Sequence, residues 1–342
     1  MTITVYGAGA IGGVTGAALA KSGQDVLLVD RAEDHVAAMN ADGLTIDRRE
    51  GSVTIPVRAI IPGALGSGLE LVLLAVKSQD TPAALEVLAP RLARAGAIVS
   101  LQNGLNEELI ARAVGAERTI GCLVNWAADW TAPGRILHGG EGALVLGELD
   151  GRLSDRVQQL AKLLEVVAPT QVSPNVLGYT WAKHVYGALL VATAVVDAHV
   201  YDVVERSPDV QRMLAALVVE NMNVAEAAGI RLEPFDEYAP DDYREAARGD
   251  AAALARAMKS IATHYRAATK TKTGIWRDLA VRKRKTEVGA LLGATAAKGE
   301  ALGIRLPLTE RLIAMIEDLE SGRRAMSWAN VDELVVAYGG RS

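Results

Sequence analysis

Residues 3–23, ITVYGAGAIGGVTGAALAKSG, set Gly7, Gly9 and Gly12 between a short β-branched run and an alanine-rich stretch that stops at Gly23. Few local structures satisfy that order. A strand turning tightly into a helix needs Gly7 at the turn, Gly9 where the backbone approaches a ligand, and Gly12 where helix packs on strand. The helix opening at Ala10 and Ile11 then offers unpaired N–H groups and a partial positive charge to a pyrophosphate. Such glycines alone are weak evidence. Here they follow a strand, start a helix and precede a carboxylate, Asp30, by eighteen residues, which is the context of a dinucleotide fingerprint.

Asp30 ends the second apolar run, DVLLVD, where a carboxylate accepts hydrogen bonds from a ribose and repels a 2′-phosphate. That favours NAD over NADP. Arg31 follows and suits adenine stacking or a 2′-phosphate instead, and Asp30 also fits a helix cap for RAEDHVAAM.

Past this point the first half keeps alternating. A helical stretch (RAEDHVAAMNADG), a hairpin (LTIDRREGSVTIPVRAI), a buried strand (LELVLLAVK), a helix (DTPAALEVLAPRLARAG) and a buried strand (AIVSLQNG) follow in turn. Continuous apolar strands separated by helices indicate a parallel sheet covered on both faces. Residues 118–148 carry Gly and Pro breaks and read as antiparallel strands closing that sheet. After VAPTQVSPN the sequence reads as helix throughout, beginning with one long helix over VLGYTWAKHVYGALLVATAVVDAHVYDVV and including KTEVGALLGATAAKGEALG. The expected organisation is a dinucleotide-binding domain over 1–170 and a helical substrate domain over 171–342, an α/β chain with a doubly wound sheet first and helices after.

Half of the 342 residues are apolar and the net charge is −5, which gives no reason to expect nucleic acid or an anionic membrane as partner. The longest apolar run, GALLVATAVV, is too short to span a bilayer. One cysteine, Cys122, excludes an internal disulfide framework and fits a reducing cytoplasm. A folded pattern from residue 2 leads to the expectation of no secretory signal. His184 and His199 lack metal-ligand spacing, so no metal is expected, and no G-x-S-x-G elbow offers a hydrolase nucleophile.

Four further stretches complete the pattern: AVKSQD with Lys77, SLQNG with Asn103, WAKHVYGALL with Lys183, and IWRDLAVRKRKTEV ending in Thr286-Glu287. In this order and at these separations the chain resembles the ketopantoate reductase family. The resemblance covers nearly the whole length. It implies a Rossmann-type domain, a helical domain with the active site between them, and a cytoplasmic NAD(P)H-dependent reductase of 2-oxo acids tied to pantothenate biosynthesis. Lys183 matches the family's catalytic lysine, a general acid that protonates the carbonyl oxygen as hydride arrives at carbon. Glu287 matches the glutamate of a T-E pair opening a helix, implied to hold ribose or substrate and to support the lysine. Lys77 and Asn103 match residues lining the cofactor.

The chain departs from the family where substrate is gripped. Gly187 stands at the family's asparagine four residues after the lysine, and Val191 near its second asparagine. Thr273 or Gly274 is nearest to its carboxylate-binding serine, and one residue is inserted between Asp278 and Glu287. The substrate group is therefore Gly187, Thr273 and Asp278, and the acid handled need not be ketopantoate. Trp126, Trp130, His184, Tyr186 and Asp197 suit either a substrate pocket or core packing.

Each residue also has an ordinary structural role. A helical lysine commonly snorkels, Glu287 fits a helix first turn, Lys77 fits a strand end, and Asn103-Gly104 fits a turn. RKRK at 282–285 fits a solvated face. Two alternatives to an oxo-acid reductase stay open: oxidation of a different small hydroxy compound with NAD⁺, and a non-catalytic NAD(P)(H)-binding sensor. Ala- and Leu-rich helical faces are compatible with a homodimer.

Overall fold

A computed structural model describes residues 1–140, 142–268 and 270–339. The chain divides into two compact units, Met1–Val176 and Leu177–Ser342.

The first unit is an α/β unit. Its elements are β1 (Ile3–Tyr6), α1 (Ala10–Lys21), β2 (Val26–Val29), α2 (Glu33–Asp42), β3 (Leu44–Arg48), β4 (Gly51–Ile55), β5 (Arg58–Ile60), β6 (Leu69–Leu74), α3 (Thr81–Leu88), β7 (Leu92–Ser100), α4 (Glu107–Val114), β8 (Thr119–Asn125), β9 (Ala128–Ala132), β10 (Arg135–His138), β11 (Ala143–Glu148), α5 (Asp155–Leu164) and β12 (Thr170–Val172). Eight strands form the main sheet in the order β12-β11-β8-β7-β6-β1-β2-β5. From β8 to β5 all pairings are parallel, β11 pairs antiparallel with β8, and β12 pairs parallel with β11. Because β2 flanks β1 on one side and β6 on the other, the chain reverses direction across the sheet at β1. Ligands bind at such a switch point, beyond the carboxyl ends of the strands.

Burial on both faces explains the unbroken apolar strands. Along β6, Leu71 and Leu73 join the core shared with α1 and α5, while Val72 and Leu74 join the core shared with α3 and α4. Cys122 is a buried thiol within the first of these cores.

Several expectations change here. The helix expected over DTPAALEVLAPRLARAG ends at Leu88, because Pro90 lacks the N–H a helix needs, and the chain enters β7 at Leu92. Residues 118–148 do not all close the main sheet. β8 and β11 do, whereas β9 and β10 leave it to join the β3–β4 hairpin in a second sheet ordered β4-β3-β10-β9. Gly134 makes the β9–β10 turn at φ +68°, and β10 pairs parallel with β3. β12, which extends the main sheet beyond β11, had no expectation.

The second unit is helical: α6 (Val176–Thr193, whose first residue belongs to the first unit), α7 (Val200–Val204), α8 (Pro208–Ala227), α9 (Pro240–Ala247), α10 (Ala251–Ala267), α11 (Gly274–Ala280), α12 (Leu292–Ala301), α13 (Pro307–Glu320) and α14 (Trp328–Gly339). The single long helix expected from Val176 breaks after Thr193. The Val195 carbonyl accepts from Asn330 Nδ2 at 2.8 Å and from Ser327 N at 3.2 Å, and Asp197 is held by Lys272 and Trp276. His199 and Asp202 then form the capping box of α7. The helix expected from Lys285 begins only at Leu292. Thr286 sends both its amide and its hydroxyl to Glu320 Oε1, at 2.7 and 2.6 Å, and a glycine, Gly289, follows. Among the described residues no helix is long and apolar enough to cross a membrane.

Candidate functional site

In the first unit the turn from β1 to α1 explains its glycines one by one. Gly7 has φ +98°, and a Cβ there would lie 2.7 Å from the Val76 amide nitrogen. A Cβ on Gly12 would lie 1.9 Å from the Gly7 carbonyl oxygen. Around a Cβ on Gly9 nothing lies within 4 Å. Two glycines are thus demanded by the protein's own backbone, and the third faces open space, which is how a cradle for a phosphate is shaped. Gly9, Ala10 and Ile11 are half-buried at the start of α1, and Gly9 caps the helix without a side-chain bond. Its N-terminus therefore retains donors and the positive end of the dipole.

Asp30 follows β2, and its Oδ1 accepts from Ala32 N at 3.0 Å. The expected cap is therefore a short turn, with α2 itself starting at Glu33. Arg31 is exposed, and its Nη1 pairs with Asp80 Oδ1 at 3.1 Å. Lys77 and Asn103 are exposed on the loops after β6 and β7.

Beneath those two residues lies a polar frame that sequence reasoning missed. The Asn103 carbonyl accepts from Ser78 Oγ and, at 2.8 Å, from Asn106 Nδ2. Gln102 Nε2 donates to Val76 O at 2.9 Å and to Thr81 Oγ1 at 2.7 Å. Asn106 Nδ2 also reaches Ser78 Oγ at 3.0 Å. These bonds tie the loops after β6 and β7 together at the carboxyl end of the sheet. The available signal was the polar run KSQDT following one strand and LQNGLN following the next. Next to it Glu107 is 3% exposed, and burial raises its carboxyl to about 7.

In the second unit Lys183 sits on α6. Residues 180–182, 184–186, 188 and 189 are buried, while Tyr179, Lys183, Gly187 and Leu190 are half-buried. Those four fall at helical spacing on one face. A Cβ on Gly187, one turn after the lysine, would meet nothing within 4 Å. The lysine therefore stands beside open space on the least buried face of a core helix.

His184 faces the other way. It is buried, with Nε2 2.5 Å from Thr295 Oγ1 of α12, and burial lowers its pKa to about 4. It is a neutral core histidine at neutral pH. Tyr186 is also in the core, with ring centroids 6.0 Å from Phe235 and 5.7 Å from Tyr238. Glu287 is 7% exposed and precedes α12 by five residues, so the first-turn role does not apply.

Of the substrate group, Thr273 caps α11 by accepting from Trp276 N at 3.1 Å. Asp278 is 3% exposed and accepts from Arg282 Nη1 at 3.2 Å and Arg284 Nε at 2.9 Å, so two members of the basic run neutralise a buried carboxylate. Asp197 is held by Lys272 at 2.6 Å, and its carboxyl lies below the usual range, the Lys272 hydrogen bond being the main cause. In the first unit, Trp126 is half-buried and Trp130 is 36% exposed. Among the described residues no group of three or more His, Cys, Asp or Glu side chains could hold a metal ion.

Comparison with known proteins shows the family and the fold. The family model described as Ketopantoate reductase PanE/ApbA matches residues 3–151, and the one described as Ketopantoate reductase PanE/ApbA C terminal matches residues 175–320. A 2-dehydropantoate 2-reductase of Streptococcus pyogenes serotype M18 is 27% identical over 328 residues, covering 94% of this chain and 98% of its own. The crystal structure of a PanE/ApbA family ketopantoate reductase from Ralstonia eutropha JMP134 superposes with a TM-score of 0.79 at 28% identity, covering 94% of this chain and 99% of that one. D-mandelate dehydrogenase, solved with NADH and anilino(oxo)acetate, shares the fold with a TM-score of 0.81 at 22% identity over 94% of this chain and 99% of its own.

Proposed function

The chain belongs to the ketopantoate reductase family, a family of oxidoreductases acting on a CH–OH group, and from that membership we propose that it reduces a small 2-oxo acid with Lys183 as proton donor. The observation that carries this reading is the lysine's place: half-buried on the open face of α6, beside the space over Gly187. An ammonium there protonates the carbonyl oxygen as negative charge develops on it, and takes the proton back in the reverse direction. Glu287, buried just before α12, supports the lysine's charge.

A nicotinamide dinucleotide, when bound, supplies the hydride. The glycine turn fits its pyrophosphate, since Gly9 faces open space at a helix N-terminus. Backbone N–H groups of Gly9, Ala10 and Ile11 hold the phosphates, and Lys77 and Asn103 line the cofactor from the loops after β6 and β7. Asp30 accepts from the ribose. With Arg31 turned to Asp80, the carboxylate disfavours a 2′-phosphate, so NADH is the preferred donor.

The residues nearest the family's substrate groups differ from them, so the acid handled need not be ketopantoate. Gly187 presents no side chain, Thr273 is engaged as a cap, and Asp278 is neutralised by two arginines. The test is oxidation of NADH and NADPH against ketopantoate and a panel of 2-oxo acids, beside Lys183→Ala. Turnover of another acid, lost in the variant, supports the reading. Efficient ketopantoate turnover makes ketopantoate the substrate. No turnover in either direction, with cofactor bound, leaves a sensor.

A further inference from the structure

His35, on α2, is 1% exposed and plays no part in the chemistry above. Its Nε2 lies 2.9 Å from the carbonyl oxygen of Ala8, the residue between Gly7 and Gly9. Its Nδ1 receives the Gly134 N–H at 2.8 Å, in the β9–β10 turn, and the Trp130 indole N–H at 3.3 Å. These partners decide the tautomer. Backbone and indole N–H groups only donate, so Nδ1 is the acceptor and the proton sits on Nε2, donating to Ala8.

The ring therefore ties the glycine turn to the second sheet. Holding the Ala8 oxygen has a further effect, because C=O and N–H point to opposite sides of a trans peptide unit. Pinning that oxygen to the ring sets the direction of the Gly9 N–H, the first donor of the turn. It also keeps a carbonyl lone pair away from an anionic guest. The second sheet braces the same region from outside: a Cβ on Gly13 of α1 would stand 2.2 Å from Ile136 Cδ1 of β10.

We infer that His35 is the positioning residue of the dinucleotide turn, holding Ala8 so that the Gly9 amide is presented to the pyrophosphate. The inference rests on the dinucleotide reading of that turn. It assigns the second sheet a role as well, since Gly134 and Trp130 hold the ring that holds the loop.

Two substitutions separate this role from general packing. His35→Gln places an amide nitrogen where Nε2 stood and keeps the bond to Ala8. His35→Asn places an oxygen where Nδ1 stood, keeping the bond from Gly134 and losing the one to Ala8. NADH binding is measured by calorimetry, with thermal melting of the nucleotide-free proteins alongside. The expected result is a Kd within about threefold of wild type for His35→Gln and raised about tenfold or more for His35→Asn, the loss appearing in the cofactor KM more than in kcat. Equal affinities for the two variants overturn the proposal. Should either variant fail to fold, ¹⁵N NMR of the wild-type ring decides, since an Nδ1–H tautomer is incompatible with it. Wild-type protein that binds neither NADH nor NADPH overturns the dinucleotide reading itself, a different failure from binding that ignores His35.

Discussion

The Gly7 carbonyl oxygen and Gly12 are so close that a methyl group on Gly12 would stand 1.9 Å from that oxygen, well inside contact distance. The turn and the helix it feeds are thus one rigid piece. Gly12→Ala is expected to raise the NADH Kd at least about a hundredfold and to lower the melting temperature by several degrees, since the obstacle is backbone. Gly9→Ala, with nothing within 4 Å, should melt like wild type yet bind NADH about tenfold more weakly. Calorimetry and a thermal melt on the pair check both. Equal melting temperatures would refute the distinction.

Lys183 stands on a half-buried stripe of α6 that includes Gly187. Lys183→Ala is expected to lower kcat by about 10²–10⁴ with the NADH Kd unchanged, the range for losing one general acid. Stopped-flow hydride transfer on a turned-over acid measures it. A loss confined to KM would make the lysine a substrate anchor.

Asp30 is the residue proposed to accept from the cofactor ribose, and Arg31 beside it is drawn to Asp80 at 3.1 Å. Asp30→Ser is expected to shift the NADPH-to-NADH ratio of kcat/KM upward about tenfold, because a repelling carboxylate is gone. Adding Asp80→Ala frees Arg31 and should shift it further. No movement in either variant would mean that the ribose lies elsewhere.

Two buried groups tilt stability in opposite directions with pH. Burial raises Glu107 to about 7 from 4.5, so its contribution is complete below about 4.5 and is lost as pH rises through about 7. The loss is on the order of 3 kcal/mol. Burial lowers His184 to about 4 from 6.5, so its neutral form contributes fully above about 6.5 and is lost as pH falls through about 4. The first group lies in the first unit and the second in the second. Between pH 4.5 and 6.5 the first unit should weaken and the second strengthen as pH rises. Hydrogen exchange resolved by unit checks this, and Glu107→Gln should flatten the first unit's profile. A slope that survives that substitution would assign it to another group.

Much of this architecture was readable from local pattern. Two-sided burial makes β6 an unbroken apolar run, and the glycine turn is a short-range demand written in three residues. The second sheet was not readable. β3 and β10 pair across some ninety residues, and nothing local distinguishes β10 from another strand of the main sheet. The stop at Pro90 was present in the sequence but outweighed by the helical composition around it. His35 gave no signal either, because a histidine on a short helix looks like any other polar residue until its partners at Ala8 and Gly134 arrive from elsewhere. Lys183 and Gly187 were legible as residue identities, whereas the open face they share depends on which sides of α6 the remaining helices cover.

The pairing of β3 with β10 also imposes a timetable on synthesis. A ribosome releasing the chain from its N-terminus delivers Gly7, Gly9 and His35 early, but Gly134 emerges about a hundred residues later. Until then the histidine has Ala8 on one side and no Gly134 or Trp130 on the other, and the β3–β4 hairpin has an unsatisfied edge. Fragments truncated before residue 130 will therefore carry the full glycine signature without the brace that sets it, and nascent chains at that stage are where a chaperone has an edge to cover.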